Sequence, residues 1–181
     1  APHVLLQEHY RCHPEIIGFC NQRFYNNELI ILTKPNNERQ PLMVYRTAPG
    51  NHARERVNQR QIKVITNEVF PQQKLNPDDG SVGIVTPYRN QAEALQKAFS
   101  GTGVKADTAD KFQGQERSVM IFSTVDNEIG EFASDPNRLN VAVSRAVDQF
   151  IVVTDGNDND TTSPIHELIG YIQYHNHEVI N

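Results

Sequence analysis

The stretch that decides how this chain folds is DKFQGQERSVMIF, residues 110–122. Its first nine positions hold seven polar or charged side chains, one glycine and one aromatic ring, and the apolar run VMIF follows at once. An apolar run of this kind is typical of a strand buried on both faces. The polar residues before it are either a surface loop or side chains that reach into a site.

Outward from this stretch, apolar strands alternate with helices. SVGIVTPY, residues 81–88, predicts a buried strand stopped by Pro87, and QFIVVT, residues 149–154, predicts another. Further strands are predicted at 42–45, 104–107 and 118–125, and helices at 13–29, 54–70, 89–101, 135–146 and about 163–176. This alternation predicts an α/β domain built around a mostly parallel sheet, with residues 1–181 as a single unit.

Composition limits what the chain can be. The hydrophobic fraction is 38% and no run of 18 apolar residues occurs, so a membrane span is not expected. Two cysteines cannot build a disulfide framework, and we expect a cytoplasmic protein, or a nuclear one in a eukaryote. The net charge is −5, and no lysine or arginine follows Arg145, so a polyanion should meet a few placed cations upstream of that point.

Three loops carry unusual polar content, namely TPYRNQ, DTADKFQGQE and the stretch leading to NRLNVAVSRA. Ligands of parallel sheets bind beyond the carboxyl ends of the strands, so we expect all three loops at that edge. Arg138 and Arg145 are seven positions apart and would share one face of a helix. The alternative for these two arginines is an ordinary solvated helix face.

Two other kinds of chemistry are less well supported. His9, Cys12, His13 and Cys20 could form a zinc site, but Cys20 falls on the apolar stripe of a helix and there is no C-x-x-C pair, so we predict no metal site and place Cys20 in the core. The chain contains neither G-x-x-x-x-G-K-[ST] nor G-x-G-x-x-G. It therefore cannot cradle a nucleoside triphosphate alone, although it can reach one held elsewhere.

Four stretches in order resemble the C-terminal, RecA-like motor domain of superfamily I helicases, in the branch that contains the nonsense-mediated-decay RNA helicase and related DNA helicases. They are QEHYRCHPEIIGFCNQRFYNNEL, VGIVTPYRNQ, DTADKFQGQERSVMIFSTV and NRLNVAVSRA, within residues 5–154. The resemblance implies a three-layer, P-loop NTPase-like fold that lacks its own P-loop. It also implies that the chain is a fragment of a longer protein.

The resemblance implies that ATP with Mg²⁺ is held mainly by an N-terminal RecA-like domain of the same protein. Arg145 would be the arginine finger and Arg11 a second arginine at the γ-phosphate, because arginine stays charged and forks onto phosphate oxygens. Tyr10 would lie near the nucleoside. Gln113, Gly114 and Glu116 match the family's ATP-contacting residues, with Gly114 allowing close approach of the backbone.

The resemblance further implies that Thr86, Tyr88 and Thr108 hold the sugar-phosphate backbone of single-stranded DNA or RNA. For Thr86 and Thr108 the alternative is turn capping. Asp107 stands where family members often have glycine, and Gln115 where the position is commonly basic.

The sequence therefore predicts the C-terminal motor domain of an ATP-dependent helicase, monomeric and inactive as an isolated piece. The alternative is a degenerate RecA-like scaffold that binds nucleic acid or protein without an ATPase role, suggested by Asp107 and by the acidic C-terminal third of the chain. Contacts to a sugar-phosphate backbone do not by themselves distinguish DNA from RNA.

Overall fold

The computed structural model describes residues 8–9, 12–33, 39–47, 53–125, 136–154, 164–174 and 179–180. Within them the strands are β1 (Glu8–His9), β2 (Ile30–Ile31), β3 (Leu42–Arg46), β4 (Ala53–Arg54), β5 (Val57–Asn58), β6 (Val82–Val85), β7 (Lys105–Asp107), β8 (Arg117–Ser123), β9 (Ala146–Thr154) and β10 (Val179–Ile180). The central sheet has six strands in the order β10-β3-β9-β8-β6-β7, and every neighbouring pair is parallel.

Helices cover both faces of this sheet. They are α1 (Pro14–Phe24), α2 (Gln59–Val64), α3 (Phe70–Gln72), α4 (Arg89–Ala98), α5 (Pro136–Ser144) and α6 (Pro164–Tyr174), with a π-helical turn at Ile65–Val69 and a 3₁₀-helix at Ala109–Phe112. One core cluster joins the sheet to α1, α5 and α6, and the other joins it to α2, α3 and α4. The predicted three-layer α/β architecture with a parallel sheet is confirmed.

Burial on both faces explains the continuous apolar strands. All four residues of β6 are buried, as are residues 119–123 of β8 and 149–154 of β9. The proline signals are also confirmed, since α1, α5 and α6 each begin at a proline, which suits the first position of a helix. His13 caps α1, because its Nδ1 accepts a hydrogen bond from the Glu15 N–H at 3.1 Å.

The helix predicted over residues 54–70 begins later than expected. Strands β4 and β5 pair as an antiparallel hairpin whose turn residues, Glu55 and Arg56, have φ of 52° and 63°. Left-handed backbone at two successive positions is incompatible with a helix and typical of a two-residue hairpin turn. Asn58 then starts α2 as its N-cap, with its side chain accepting a hydrogen bond from the Gln61 N–H.

The C-terminal helix predicted at about 163–176 is present as α6, and residues 163, 175 and 176 lie outside the described residues. No helix in the described part of the chain is long and apolar enough to cross a membrane.

The connection from β7 to β8 must cross β6, because β6 lies between these two strands in the sheet. Phe112 in this connection is fully buried, and it packs where Gly83 of β6 leaves room. A Cβ built on Gly83 would lie 2.9 Å from Phe112 Cε1 and 2.7 Å from Met120 Sδ. The missing side chain at Gly83 is therefore what lets the connection lie close to the sheet.

We predict that Gly83→Ala destabilises the fold by about 1–3 kcal/mol, because the added methyl group overpacks a filled region. Gly170→Ala is the matched control. Gly170 lies exposed in α6 with nothing within 4 Å of a built Cβ, so alanine there should stabilise the fold by about 0.5–1 kcal/mol. Urea unfolding measures both changes, and a Gly83→Ala protein as stable as the unsubstituted one would contradict this packing.

Candidate functional site

The candidate residues lie at two opposite edges of the sheet. Thr86 and Thr108 directly follow β6 and β7, at the carboxyl ends of the strands. Gln113 to Glu116 precede β8, and Arg145 precedes β9, so these lie at the amino ends. TPYRNQ follows β6 at the carboxyl edge, and the stretch leading to NRLNVAVSRA, residues 126–135, lies outside the described residues. The prediction that the polar loops share the carboxyl edge is therefore wrong for the second half of DTADKFQGQE. The reason is that the β7–β8 connection crosses the sheet from one edge to the other.

Arg145 lies at a junction of three elements. Helix α5 ends at Ser144, and the Arg145 N–H still donates to the Val141 carbonyl at 3.2 Å, which is a helical i to i−4 hydrogen bond and places Arg145 at the C-terminal end of α5. The Arg145 carbonyl accepts a hydrogen bond from the Arg117 N–H at 3.0 Å, which ties the starts of β8 and β9 together. Cys12 Sγ donates to the Ser144 carbonyl at 3.1 Å, and the His13 N–H donates to the Val147 carbonyl at 2.7 Å.

The side chain of Arg145 is half-buried and incompletely satisfied. Its Nη2 lies 3.4 Å from Ser144 Oγ, and its buried Nε has no hydrogen-bond partner among the described residues. A buried N–H without a partner is costly, about 1–3 kcal/mol, and more at a charged group. Arg117 Nε is likewise buried without a partner in the described part of the chain, so the arginines at the starts of β8 and β9 both carry an unsatisfied N–H group.

The segment from Gln113 to Glu116 is held in an open turn. Gln113, Gly114 and Gln115 are exposed and Glu116 is half-buried. Gly114 has φ of 76°, and nothing lies within 4 Å of a Cβ built on it. The glycine is thus required for its backbone conformation, and within the described residues no close approach accounts for it.

Contacts on both sides fix this connection. Asp110 Oδ1 lies 3.8 Å from Arg138 Nη1 of α5. Lys105 Nζ donates to the Lys111 carbonyl and to Gln115 Oε1, both at 2.7 Å, and lies 4.8 Å from the centre of the Phe112 ring. Partial burial, with the nearby charge of Arg117 as the next cause, lowers the pKa of Lys105.

At the carboxyl edge, the two threonines differ in burial. Thr86 is fully buried, its N–H donates to the Asp107 carbonyl at 3.1 Å, and its hydroxyl has no partner in the described part of the chain. Thr108 is half-buried, and its N–H donates to Asp107 Oδ1 at 2.8 Å. Its side chain makes no capping hydrogen bond to the 3₁₀-helix that follows. The Asp107 carboxylate is therefore used locally, on the backbone of Thr108.

Tyr88 is half-buried and contacts the β4–β5 hairpin. The guanidinium carbon of Arg56 lies 4.8 Å from the centre of the Tyr88 ring, and Arg56 Nη1 lies 3.2 Å from Tyr88 Oη. This is a cation–π contact reinforced by a hydrogen bond. Sequence reasoning missed Arg56, because it fell within the helix predicted over residues 54–70.

A buried polar network that the sequence did not reveal underlies the same edge. Gln61 Oε1 accepts hydrogen bonds from Ser123 Oγ at 2.7 Å and from the Val125 N–H at 2.9 Å. Gln61 Nε2 donates to Thr124 Oγ1 at 3.2 Å, and Gln91 Nε2 donates to Ser123 Oγ at 3.1 Å. The network joins α2, α4 and the end of β8. Its only signal in the sequence is the polar turn from VMIF into Ser123 and Thr124.

Val125 is the strained residue of this network, with φ of 71°. A β-branched side chain disfavours left-handed backbone, at a cost of order 1–3 kcal/mol. Asn58 Nδ2 donates to the Val125 carbonyl at 2.7 Å, and Gln61 accepts from its N–H, so buried amides hold both sides of the residue. The strain lies where the chain leaves the sheet at its carboxyl edge.

Tyr10 and Arg11 lie outside the described residues, and their predicted roles stay predictions. Cys20 is fully buried in the core on α1, as expected, and burial, with the nearby Cys12 as the next cause, raises the pKa of its thiol well above the usual range. No cluster of three or more potential metal ligands occurs among the residues that the structure describes.

Residues 1–157 match a protein family described as an AAA domain. The chain is 29% identical over 173 residues to an uncharacterized ATP-dependent helicase of Caenorhabditis elegans, an alignment that covers 84% of this chain and 11% of the relative. It is also 29% identical over 199 residues to a probable helicase of Dictyostelium discoideum, covering 96% of this chain and 20% of the relative. The chain thus spans a fifth or less of the length of these relatives.

The fold resembles that of a solved structure, the C-terminal domain of a possible DNA helicase from Lactobacillus plantarum WCFS1. The TM-score is 0.60 at 16% identity, over 95% of this chain and 99% of that domain. At this identity the likeness concerns the fold alone, which is the RecA-like fold predicted from the sequence. The family match covers most of the length of the chain, which therefore belongs to the family described as an AAA domain.

Proposed function

We propose that this chain is the second motor domain of an ATP-dependent helicase and completes an ATP site whose phosphate loop lies on a preceding RecA-like domain. The observation that carries the proposal is a half-buried arginine with an unsatisfied Nε in a chain without any phosphate loop. Arg145 would meet the γ-phosphate, where an arginine finger is worth about 10³–10⁵ in rate. Bound ATP would supply the phosphoryl group that this arginine stabilises.

The fixed position of Arg145 supports this role. Its carbonyl is bonded to the start of β8, and Ser144 beside it is bonded to Cys12. Arg11 precedes Cys12 in the sequence, and we propose that it acts as the second arginine, with Tyr10 at the nucleoside. The segment that leads into β8 at the same junction contains Gln113, Gly114 and Glu116, and we propose that these residues contact the nucleotide. Electrostatic catalysis depends on such preorganisation, because donors that are already in place need not reorganise during reaction.

At the opposite edge, we propose that Thr86, Tyr88 and Thr108 hold the backbone of single-stranded DNA or RNA. The absence of a capping bond from the half-buried Thr108 supports this over turn capping for that residue. Hydroxyl groups suit the task because they contact phosphate and sugar without reading bases.

We predict that Arg145→Ala, in the protein that contains both RecA-like domains, lowers kcat for ATP hydrolysis by about 10³-fold or more. In the absence of ATP, the affinity for single-stranded nucleic acid should stay within about twofold of that of the unsubstituted protein, because Arg145 lies at the other edge of the sheet. Lys63→Ala, which removes an exposed charge from α2, is the control and should keep most of the activity. Loss of both functions, or of neither, would contradict the assignment of Arg145.

We also predict that the 181-residue chain alone, shown to be folded by circular dichroism, releases phosphate from ATP at the uncatalysed background rate. The reason is that no phosphate loop is present to hold the triphosphate. The protein with both RecA-like domains should hydrolyse ATP, and faster when single strands are added. Turnover by the chain alone would overturn the proposal, and no turnover by the two-domain protein would favour the scaffold alternative.

A further inference from the structure

The β4–β5 hairpin places an arginine at the carboxyl edge of the sheet. Its turn, Glu55 and Arg56, lies against the loop after β6, where Arg56 stacks on Tyr88. Arg56 is exposed although its guanidinium is stacked, so the charge stays within reach of a ligand in solvent. A stacked guanidinium is also preorganised, which reduces the entropy lost when it binds an anion.

Hydrogen bonds from two neighbouring helices fix the hairpin. Asn90 Nδ2 of α4 donates to the Glu55 carbonyl at 2.9 Å. Gln91 Oε1 accepts from the Asn58 N–H at 2.9 Å, and the Asn58 side chain bonds to Val125 and to the start of α2. The position of Arg56 is therefore set by the same buried network that holds the end of β8.

The chemistry around Arg56 favours an anion of the phosphodiester class. Arg56, Arg60 and Arg89 fall within or beside the hairpin and the start of α4, against one carboxylate, that of Glu55, in the hairpin turn itself. Tyr88 is the N-cap of α4 without a side-chain capping bond, so the first N–H groups of that helix lie at the same place. Donors and positive charge thus predominate here.

We propose that Arg56 binds single-stranded nucleic acid by contacting a phosphate of its backbone. Tyr88 positions the Arg56 guanidinium through the tyrosine ring and hydroxyl. This inference rests on the proposed function, and it deepens that function by naming a residue outside the helicase motifs. It also adds a second role for Tyr88, which orients Arg56 in addition to contacting the nucleic acid.

The test measures binding of fluorescein-labelled oligothymidylate and oligouridylate, each about 20 nucleotides long, to the nucleotide-free protein with both RecA-like domains. Fluorescence anisotropy over a series of salt concentrations gives Kd and the slope of log K against log[salt]. Arg56→Asn removes the charge and suits the left-handed turn, since asparagine tolerates positive φ. Lys97→Gln removes one charge at the far end of α4 and is the matched control.

We predict that Arg56→Asn weakens binding about tenfold on both oligonucleotides and reduces the salt slope by about 0.7, the contribution of one phosphate contact to a single strand. Lys97→Gln should change neither quantity appreciably. Arg56→Lys keeps the charge but loses the planar stack, so the slope should remain while the affinity falls by less than in Arg56→Asn. Melting curves establish that each variant is folded.

Two results would overturn the inference in distinguishable ways. If the unsubstituted protein binds strands but Arg56→Asn behaves like Lys97→Gln, the inference is wrong and the proposed function stands. If the unsubstituted protein binds neither oligonucleotide, the strand-binding part of the proposed function is removed together with this inference.

Discussion

The position of β6 between β7 and β8 is the constraint on which the rest of the structure depends. The chain leaves β7 at the carboxyl edge and must enter β8 at the amino edge, so residues 108–116 run across one face of β6. Gly83 makes room for Phe112 on that face, and Lys105 and Arg138 hold the connection from two sides. The dense polar stretch before VMIF is thus a crossing between the two edges of the sheet, with one aromatic ring as its anchor in the core.

This crossing and β8 itself join the two candidate sites. β8 begins at Arg117, bonded to Arg145, and the chain beyond its far end is clamped at Val125 by Gln61 and Asn58. A parallel strand in the centre of a packed sheet is stiff, so a displacement at one edge is felt at the other. We propose that closure of a cleft around ATP changes how Thr86, Tyr88 and Arg56 contact a single-stranded nucleic acid. The strained residue Val125 lies at the edge where such a change would act.

The sequence predicted the architecture well because both faces of the sheet are covered, which turns VGIV and VMIF into unmistakable apolar runs. It did not predict which edge each loop occupies, because the order of strands in a sheet cannot be inferred from the sequence of any single strand. The helix assigned to 54–70 hid the hairpin, because Val57 fits a helical stripe and nothing marks Glu55 and Arg56 as left-handed. Asn58, Gln61 and Gln91 were missed for a related reason, as polar residues near helix starts are usually solvated and here are fully buried.

The measurement that tests this coupling most directly is thermodynamic linkage in the protein with both RecA-like domains. The affinity for a single strand is measured with and without a non-hydrolysable ATP analogue, and the affinity for the analogue with and without the strand. We predict that each ligand changes the affinity of the other by the same factor, about fivefold or more, and that Arg145→Ala abolishes the effect. Two ligands that both bind, with neither changing the affinity of the other, would contradict the coupling of the two edges.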